Sequence, residues 1–133
     1  METKQVIVMR KDLGMRKGKM IAQGAHASMK VILDELYHTK FNDDYTTIGI
    51  TLRNDTPLYN WLEGIFTKVV VGCDSEEELL SLQAAADTNK VINALIQDAG
   101  KTEFHGKQTY TALAIGPDET EKIDKITGHL KLL

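Results

Sequence analysis

Cysteine is nearly absent from this chain, because Cys73 is the only one in 133 residues. A single cysteine excludes an internal disulfide and is typical of a protein in a reducing compartment. Long hydrophobic runs are also missing, since no segment approaches the roughly 18 apolar residues that a membrane helix needs. The stretch METKQVIVMRKD has an apolar run of only four residues, too short for a signal peptide. We therefore expect a cytoplasmic globular protein in which residues 1–133 form a single domain.

The sequence also lacks the residue spacings that mark metal and serine-hydrolase sites. His38, His105 and His129 show no paired spacing, and Cys73 has no partner in a CxxC motif. The nucleophile motif GxSxG is absent as well. These absences argue against a bound metal and against a serine nucleophile.

Charge is distributed unevenly, although the net charge is only −3. Residues 10–30 carry six basic residues against Asp12, a local charge of +5, whereas residues 34–103 carry thirteen acidic residues against five basic ones. An acidic body with one basic segment produces a local positive field that attracts anions. The alternative is a solvated basic face without a binding role.

The basic segment GMRKGKMIAQGAHAS places cations at the start of a predicted helix. It is close to a P-loop, but the glycine-to-GK spacing is one residue short and Met20 stands where a magnesium-binding hydroxyl is needed. The helix dipole disfavours Arg16 and Lys17 at this end, and a bound phosphate would reverse that penalty. We expect phosphate to bind here; the alternative is that the lysines lie in solvent before the helix begins. Along the helix, the cationic stripe is formed by Lys19, Gln23, His26 and Lys30.

Hydrophobic patterning predicts an α/β domain. The apolar runs in QVIVMR, TKVVVGC, KVINALIQD and QTYTALAIG predict buried strands, with helical patterns between most of them. Crossovers favour parallel pairing, whereas the last two strands are too close for a crossover and are expected to pair antiparallel. The prediction is a three-layer α/β/α fold with a mixed, mostly parallel sheet of about four strands. The apolar face of the first helix is expected to consist of Ile21, Ala25, Met29, Ile32 and Leu36.

Shorter signals locate helix ends and one irregular segment. Ser75 with Glu78, and Asp118 with Glu121, match the capping-box spacing at the starts of two helices. Pro57 is at a first-turn position that suits proline. The alternating segment YTTIGITLRN predicts an extra edge strand or a hairpin inside a crossover.

Asp98 follows the third predicted strand directly. Ligands of open α/β sheets bind outside the carboxyl ends of the strands, and the first strand delivers the basic segment to the same edge. We therefore expect Asp98 to lie near the basic segment, with hydroxyls available from Thr102, Thr109 and Thr111. The alternative is that Asp98 is a turn residue and the threonines are ordinary strand residues.

Three stretches together carry a family resemblance: VIVMRKDLGMRKGKMIAQGAHAS, LIQDAGKT and TALAIGPDETEKIDKITGHLKLL. With these motifs in this order, the chain resembles the archaeal and eukaryotic (type II) peptidyl-tRNA hydrolases over residues 4–37 and 66–133. The resemblance implies an enzyme that hydrolyses the ester between the peptide and the 3′-terminal ribose of peptidyl-tRNA, which recycles tRNA that has stalled or dropped off. It also implies a mixed four-stranded sheet, a homodimer, and no metal or organic cofactor.

Matching the motifs position by position gives the expected site. By resemblance, the catalytic residues are Lys19, His26, Asp98, Thr102 and Thr111, with Thr109 as an alternative to Thr111 because the intervening loop is one residue longer. Together with the charge pattern, the residues expected to bind tRNA or phosphate are Arg16, Lys17, Lys19, Gln23 and Lys30. The chain departs from the family pattern at Arg16, where a glycine is usual, at Lys101, where an arginine is common, and in residues 39–56, a probable insertion.

These residue types suit ester hydrolysis, which needs an oriented water, a stabilised oxyanion and a leaving hydroxyl that becomes protonated. Asp98 can orient or deprotonate the water, with Thr102 and Thr111 holding it, while Lys19 and His26 stabilise charge or bind phosphate. One rival is a non-catalytic module that binds tRNA or protein with the same fold. Another is a hydrolase of a different acylated substrate. An acid within a basic site favours the enzyme over the module, because a site that only holds RNA has no need of it.

Overall fold

Helices and strands alternate along most of the chain, as the hydrophobic runs predict. The computed structural model describes residues 1–100 and 103–133. Its strands are β1 (Thr3–Arg10), β2 (Tyr37–Lys40), β3 (Thr46–Gly49), β4 (Lys68–Cys73), β5 (Asn93–Asp98) and β6 (Thr109–Glu119). Its helices are α1 (Lys17–Asp34), α2 (Pro57–Glu63), α3 (Glu76–Thr88) and α4 (Thr120–Thr127).

The main sheet is mixed and has four strands in the order β4-β1-β6-β5. β1 pairs with β4 in parallel, whereas β6 pairs antiparallel with both β1 and β5. The predicted α/β class, the mixed four-stranded sheet and the antiparallel last strand are confirmed. β1, β4 and β5 run in the same direction, as expected from the crossovers. However, β6 is inserted between β1 and β5, so only one of the neighbouring pairs is parallel.

Two hydrophobic clusters lie on opposite faces of this sheet. Successive residues of β1 belong to opposite clusters. Val6 and Val8 lie in the cluster beneath α3 and α4, and Ile7 and Met9 lie in the cluster beneath α1. This alternation follows from the two-residue side-chain period of a strand. The result is the predicted three-layer arrangement. None of the helices among residues 1–100 and 103–133 is long and apolar enough to span a bilayer.

The buried face of α1 differs from the predicted one. Its buried residues are Gln23, Gly24, Ala27 and Val31, whereas Ile21 is 73% exposed and Met29 is 57% exposed. Small residues allow the helix to approach the sheet closely: a Cβ on Gly24 would lie 3.7 Å from the Met9 Cε. Of the predicted apolar face, Ile21, Ala25 and Met29 are exposed and Ile32 and Leu36 are half-buried. It is therefore mainly an outer face, because close packing here selects small side chains rather than the bulkiest ones.

The irregular segment is a hairpin, one of the two predicted alternatives. β2 and β3 pair antiparallel, apart from the main sheet, and Ile48 is 57% exposed there. Ser75 caps α3 as predicted, by accepting a hydrogen bond from the Glu78 amide at 3.1 Å. The capping box at Asp118 is wrong, because β6 continues to Glu119 and α4 has no side-chain cap.

Candidate active site

A short loop connects the carboxyl end of β1 to the start of α1. Gly14 in this loop has a φ of +60°, a conformation that glycine adopts without strain. Met15 is buried in the cluster beneath α1 and anchors the loop there. Arg16 is the N-cap residue, and its side chain caps no backbone amide. α1 therefore begins with the exposed Arg16 and Lys17 at the positive end of its dipole.

Lys19 and Asp98 form an ion pair across the carboxyl edge of the sheet. The Lys19 Nζ donates to the Asp98 Oδ2 at 2.7 Å, and the two side chains are only 13% and 12% exposed. The Asp98 Oδ1 accepts from the Gly100 amide at 2.7 Å. The hydrogen bond from Lys19 is the main reason that the pKa of Asp98 is lowered, against the opposing effect of burial. The structure thus brings the acid and the basic segment together, and the acid is ionised at neutral pH.

Gln23 lies one helical turn beyond Lys19 and is 3% exposed. Its Nε2 donates to the Asp98 Oδ2 at 3.2 Å, and its Oε1 accepts from the Thr111 hydroxyl at 2.5 Å. Both ends of the amide are therefore used inside the protein. This geometry removes Gln23 from the predicted phosphate-binding set, because a buried amide with two protein partners is not available to a phosphate.

The candidate threonines occupy different environments. Thr111 is 0% exposed, so it reaches Asp98 only through Gln23 and does not contact a solvent-borne substrate. Thr109 pairs with Asp98 in the strand register, but its hydroxyl donates to the Lys107 carbonyl at 3.0 Å. The hydroxyl network at Asp98 therefore includes Thr111 rather than Thr109. Thr102 lies outside the residues that the structure describes.

The N-terminus of α1 contacts an acidic side chain from the segment between β5 and β6. The Glu103 Oε2 accepts from the Arg16 amide at 3.4 Å, and its Oε1 lies 3.8 Å from the Arg16 Nε. The Arg16 side chain remains 90% exposed. A carboxylate of the protein itself therefore neutralises part of the positive charge where the sequence predicts phosphate. Lys17 is exposed beside it.

The rest of the predicted cationic stripe does not share one face with Gln23. His26 and Lys30 are exposed whereas Gln23 is buried. Lys30 donates to the Asp34 carboxylate at 3.0 Å, and it lies roughly 16 Å along the helix from Lys19 at 1.5 Å per residue. His26 is thus open to a ligand, and Lys30 has an acidic partner that a phosphate would have to displace.

Two contacts in the site were not predicted from the sequence: that of Phe104 with Lys19, and that of Gln23 with Asp98. The centre of the Phe104 ring lies 5.5 Å from the Lys19 Nζ, a distance within the range of a cation–π interaction. Nothing in the sequence marks this aromatic, because it sits in a segment without periodicity. The pairing of Gln23 with Asp98 had a signal, since a residue at i+4 from Lys19 shares its helical face.

Within the described residues, no group of three or more His, Cys, Asp or Glu side chains could hold a metal ion. The chemistry of the site is instead that of a charged pair. An ionised carboxylate can accept a hydrogen bond from a water, and an ammonium group can stabilise an oxyanion or contact a phosphate. Positioned charges of this kind act strongly where water is partly excluded.

The fold and the site define a class of mixed-sheet α/β protein. In this class, a lysine of the first helix and an acid at a strand end meet beside a basic helix N-terminus. The chain belongs to the family described as peptidyl-tRNA hydrolase PTH2, which matches residues 3–133.

Archaeal relatives support this membership over nearly their whole lengths. The peptidyl-tRNA hydrolase of Methanocaldococcus jannaschii is 43% identical over 130 residues, covering 98% of this chain and 99% of the relative. The peptidyl-tRNA hydrolase of Sulfurisphaera tokodaii is 42% identical over 133 residues, covering 100% of both chains. A solved structure of a protein of unknown function from Agrobacterium tumefaciens is similar in fold alone, with a TM-score of 0.59 and 13% identity. That likeness covers 100% of this chain and 98% of the other.

Proposed function

We propose that this protein hydrolyses the ester between the peptide and the 3′-terminal ribose of peptidyl-tRNA, releasing peptide and tRNA. The observation that carries this proposal is the Lys19–Asp98 pair at 2.7 Å beside the basic start of α1, in a chain of the PTH2 family. The pair supplies an ionised acid for water and a cation for developing negative charge. Because peptidyl-tRNA is made during translation, we place the enzyme in the cytoplasm. Residues 1–133 act as one catalytic domain, with residues 39–56 as an insertion.

The catalytic sequence begins with a water that donates a hydrogen bond to Asp98. As the water oxygen attacks the ester carbonyl, Asp98 accepts a proton from the water, and the Lys19 ammonium stabilises the negative charge that develops on the carbonyl oxygen. The carbonyl double bond then re-forms as the bond to the ribose oxygen breaks, and the proton taken from the water passes to the ribose oxygen. His26 is exposed on the same helix and is the side chain we assign to the terminal phosphates or to this proton. For Thr102, which lies outside the described residues, we keep the predicted role of a hydroxyl that holds the water.

Gln23 and Thr111 act as positioning residues in this scheme. Gln23 donates to Asp98 and accepts from Thr111, so the amide orients the carboxylate and the buried hydroxyl orients the amide. Neither needs to contact the substrate. We therefore expect their loss to affect the rate of cleavage more than the affinity for tRNA.

Arg16 and Lys17 contact the phosphates of tRNA. Both side chains are exposed at the positive end of the α1 dipole, which attracts phosphate. Contacts with the phosphate backbone of tRNA are independent of base sequence, as clearance of many different peptidyl-tRNAs requires. Lys30 adds a further contact when its Asp34 partner is displaced. An Arg16→Ala/Lys17→Ala variant is expected to bind tRNA more weakly and with a shallower dependence on salt, because fewer counterions are released.

A homodimer is the second part of the proposal, formed through the outer face of α1. Ile21 and Met29 are more than half exposed there, and both line an apolar groove of about 970 Å³. The rest of its lining includes Ile7, Met9, Trp61, Leu62 and Val70. An apolar surface of this kind suits a twofold interface, in which the same patch of each copy is buried against the other. Continuous apolar patches are also rare on monomers.

The oligomeric state tests the dimer directly. Met29→Glu is expected to convert the dimer to a monomer in analytical ultracentrifugation. Ile48→Glu is the matched control, because Ile48 is equally exposed at 57% but lies on the β2–β3 hairpin. A wild-type protein that sediments as a monomer at tens of micromolar concentration, or a Met29→Glu variant that stays dimeric, would remove this interface.

Cleavage of N-acetylaminoacyl-tRNA tests the enzymatic proposal. The wild-type protein is expected to release tRNA from this blocked substrate and to spare free aminoacyl-tRNA, since desolvating a charged amine costs more than desolvating an amide. Comparable turnover of both substrates would indicate a general esterase. Tight binding without cleavage would indicate the non-catalytic module instead.

A further inference from the structure

Arg10 is a nearly buried cation at the end of β1, and it belongs to neither the ion pair nor the exposed basic surface. Its residue exposure is 9%. The Nε donates to the Asp12 Oδ1 at 3.1 Å and the Nη2 donates to the Asp12 Oδ2 at 2.6 Å. The Nη1 donates to the Tyr110 carbonyl at 2.9 Å and lies 4.0 Å from the Glu76 Oε1. One planar group therefore joins β1 to the β1–α1 loop, to β6 and to the start of α3.

The contact with Tyr110 falls where backbone pairing between β1 and β6 has ended. The last paired residues are Met9 and Ala112, so the Tyr110 carbonyl lies beyond the ladder. The Arg10 side chain therefore joins β1 to β6 past the end of the backbone ladder. The next residue along β6 is Thr111, which donates to Gln23, and Gln23 donates to Asp98.

The contact with Asp12 falls on the other side of the site. Asp12 is in the loop that leads to Arg16 and to the first turn of α1, from which Lys19 projects. A bidentate arginine–carboxylate pair fixes both distance and plane, whereas a lysine provides only a point charge. The same hydrogen bonds hold the pKa of Asp12 below and the pKa of Arg10 above their ordinary values, so both remain charged.

We propose that Arg10 and Asp12 form a positioning pair that holds the β1–α1 loop and β6 in the register at which Lys19 meets Asp98. This inference rests on the proposed hydrolytic function of the Lys19–Asp98 site. Arg10 counts as basic in sequence, but its charge is matched by Asp12 and Glu76. It therefore does not contribute to phosphate binding.

The chain offers a matched control for this pair. Arg53 and Asp55 have the same spacing and the same two-pronged contact, with Nε to Oδ1 at 3.0 Å and Nη2 to Oδ2 at 2.9 Å. Those side chains are 81% and 67% exposed in the predicted insertion. Arg10→Lys and Arg53→Lys therefore remove the same geometry, once beside the site and once in the predicted insertion.

Single-turnover cleavage of N-acetylaminoacyl-tRNA, together with a tRNA-binding titration, separates positioning from binding. We expect Arg10→Lys to lower the cleavage rate by about ten- to a hundredfold, the scale of a small misplacement of reacting groups. Its affinity for tRNA and its salt dependence are expected to stay within about twofold of wild type. Arg53→Lys is expected to match wild type in both. If Arg10→Lys instead cleaves like Arg53→Lys, the inference is wrong.

Two further readouts distinguish positioning from a loss of folded protein. The pKa of the Asp98 carboxyl, followed by carbon-13 NMR, is expected to rise in Arg10→Lys because Lys19 is held less well; an unchanged pKa would overturn the inference. Added ethylguanidinium is expected to restore part of the rate of Arg10→Ala, since Arg10 and Asp12 line an open cavity of about 470 Å³. No rescue at concentrations that leave wild type unaffected would count against the pair.

If Arg10 variants do not fold, Asp12→Asn tests the same pair at its more exposed end, where the side chain is 33% exposed. It is expected to show the same loss of rate with unchanged binding, and a wild-type rate would overturn the inference. A wild-type protein that leaves the substrate intact would instead refute the proposed function, so the two failures are distinguishable.

Discussion

Substituting Asp98 by asparagine tests the proposed chemistry most directly. The side chain keeps its shape and can still accept from Gly100, but it loses the charge that pairs with Lys19 at 2.7 Å. The acid sits within a basic site, so removing its charge relieves repulsion of the tRNA phosphates. We therefore expect turnover to fall while the affinity for tRNA stays the same or improves.

The magnitude follows from the contacts. Losing a positioned proton acceptor costs about a hundredfold in rate, or about 2.7 kcal/mol of barrier at 1.36 kcal/mol per tenfold. The loss of a charged hydrogen bond costs about 1.5–3 kcal/mol when the site is buried. Here the pair is at the sheet edge and partly solvated. We therefore expect Asp98→Asn to lower the free energy of unfolding by about 1–2 kcal/mol and the Tm by about 3–8 °C.

The pH dependence gives a second measurement on the same group. Because the folded pKa of Asp98 is lowered, its contribution to stability is present above its unfolded pKa, about 3.9, and is lost as the pH falls through the folded pKa. The acidic limb of the cleavage rate is therefore expected below pH 3.9, and Asp98→Asn is expected to remove it.

Single-turnover cleavage beside a binding titration is the assay for this variant, with circular dichroism to confirm folding. Lys19→Ala is the comparison, since it is expected to lose binding as well as rate if the lysine also contacts phosphate. Cleavage by Asp98→Asn at the wild-type rate would refute the reasoning and leave the acid with a structural role.

Three other variants test separate features of the site and of α1. Gln23→Met is expected to cleave about tenfold more slowly with unchanged tRNA affinity, because the amide orients Asp98 from a buried position; Gln83→Met, at a similar side-chain contact with Asn93, is the control. Glu103→Gln is expected to bind tRNA about two- to fivefold more tightly at low salt only, since it frees the exposed Arg16; equal tightening at high salt would contradict this. Gly24→Ala is expected to raise the free energy of unfolding by up to about 1 kcal/mol in urea titrations, because the added Cβ meets Met9 at an ordinary contact distance.

The class of fold was predictable because it depends on local patterns. Continuous apolar runs mark buried strands, and the short connection between β5 and β6 allows only antiparallel pairing. The position of β6 between β1 and β5 was not predictable in the same way. Either strand of the β5–β6 pair could lie next to β1, and the choice depends on packing across the whole sheet.

The site was predictable in part for a different reason. The carboxyl ends of β1 and β5 lie at one edge of the sheet, which brings Lys19 at the start of α1 close to Asp98. What the sequence could not supply was the burial of individual polar residues. Gln23 and Arg10 look like surface groups in composition, but each is paired within the protein and acts through its partners.

The first helix explains why one pattern predicted the wrong core face. α1 has a buried face of mostly small residues with Gln23, and an outer apolar face around Met29. Its charged N-terminal turn lies beside Asp98. Hydrophobic periodicity identifies the helix face with the bulkiest apolar side chains. That face packs into the core of its own domain only when no other face of the helix packs against the sheet. Here Gly24 faces the Met9 and Ile7 side chains of β1, Gln23 beside it is buried, and Lys19 one turn earlier meets the acid. The bulky side chains then remain on the outer face, which is the proposed interface between two copies of the chain. The exposed apolar face is thus a consequence of the packing that builds the active site.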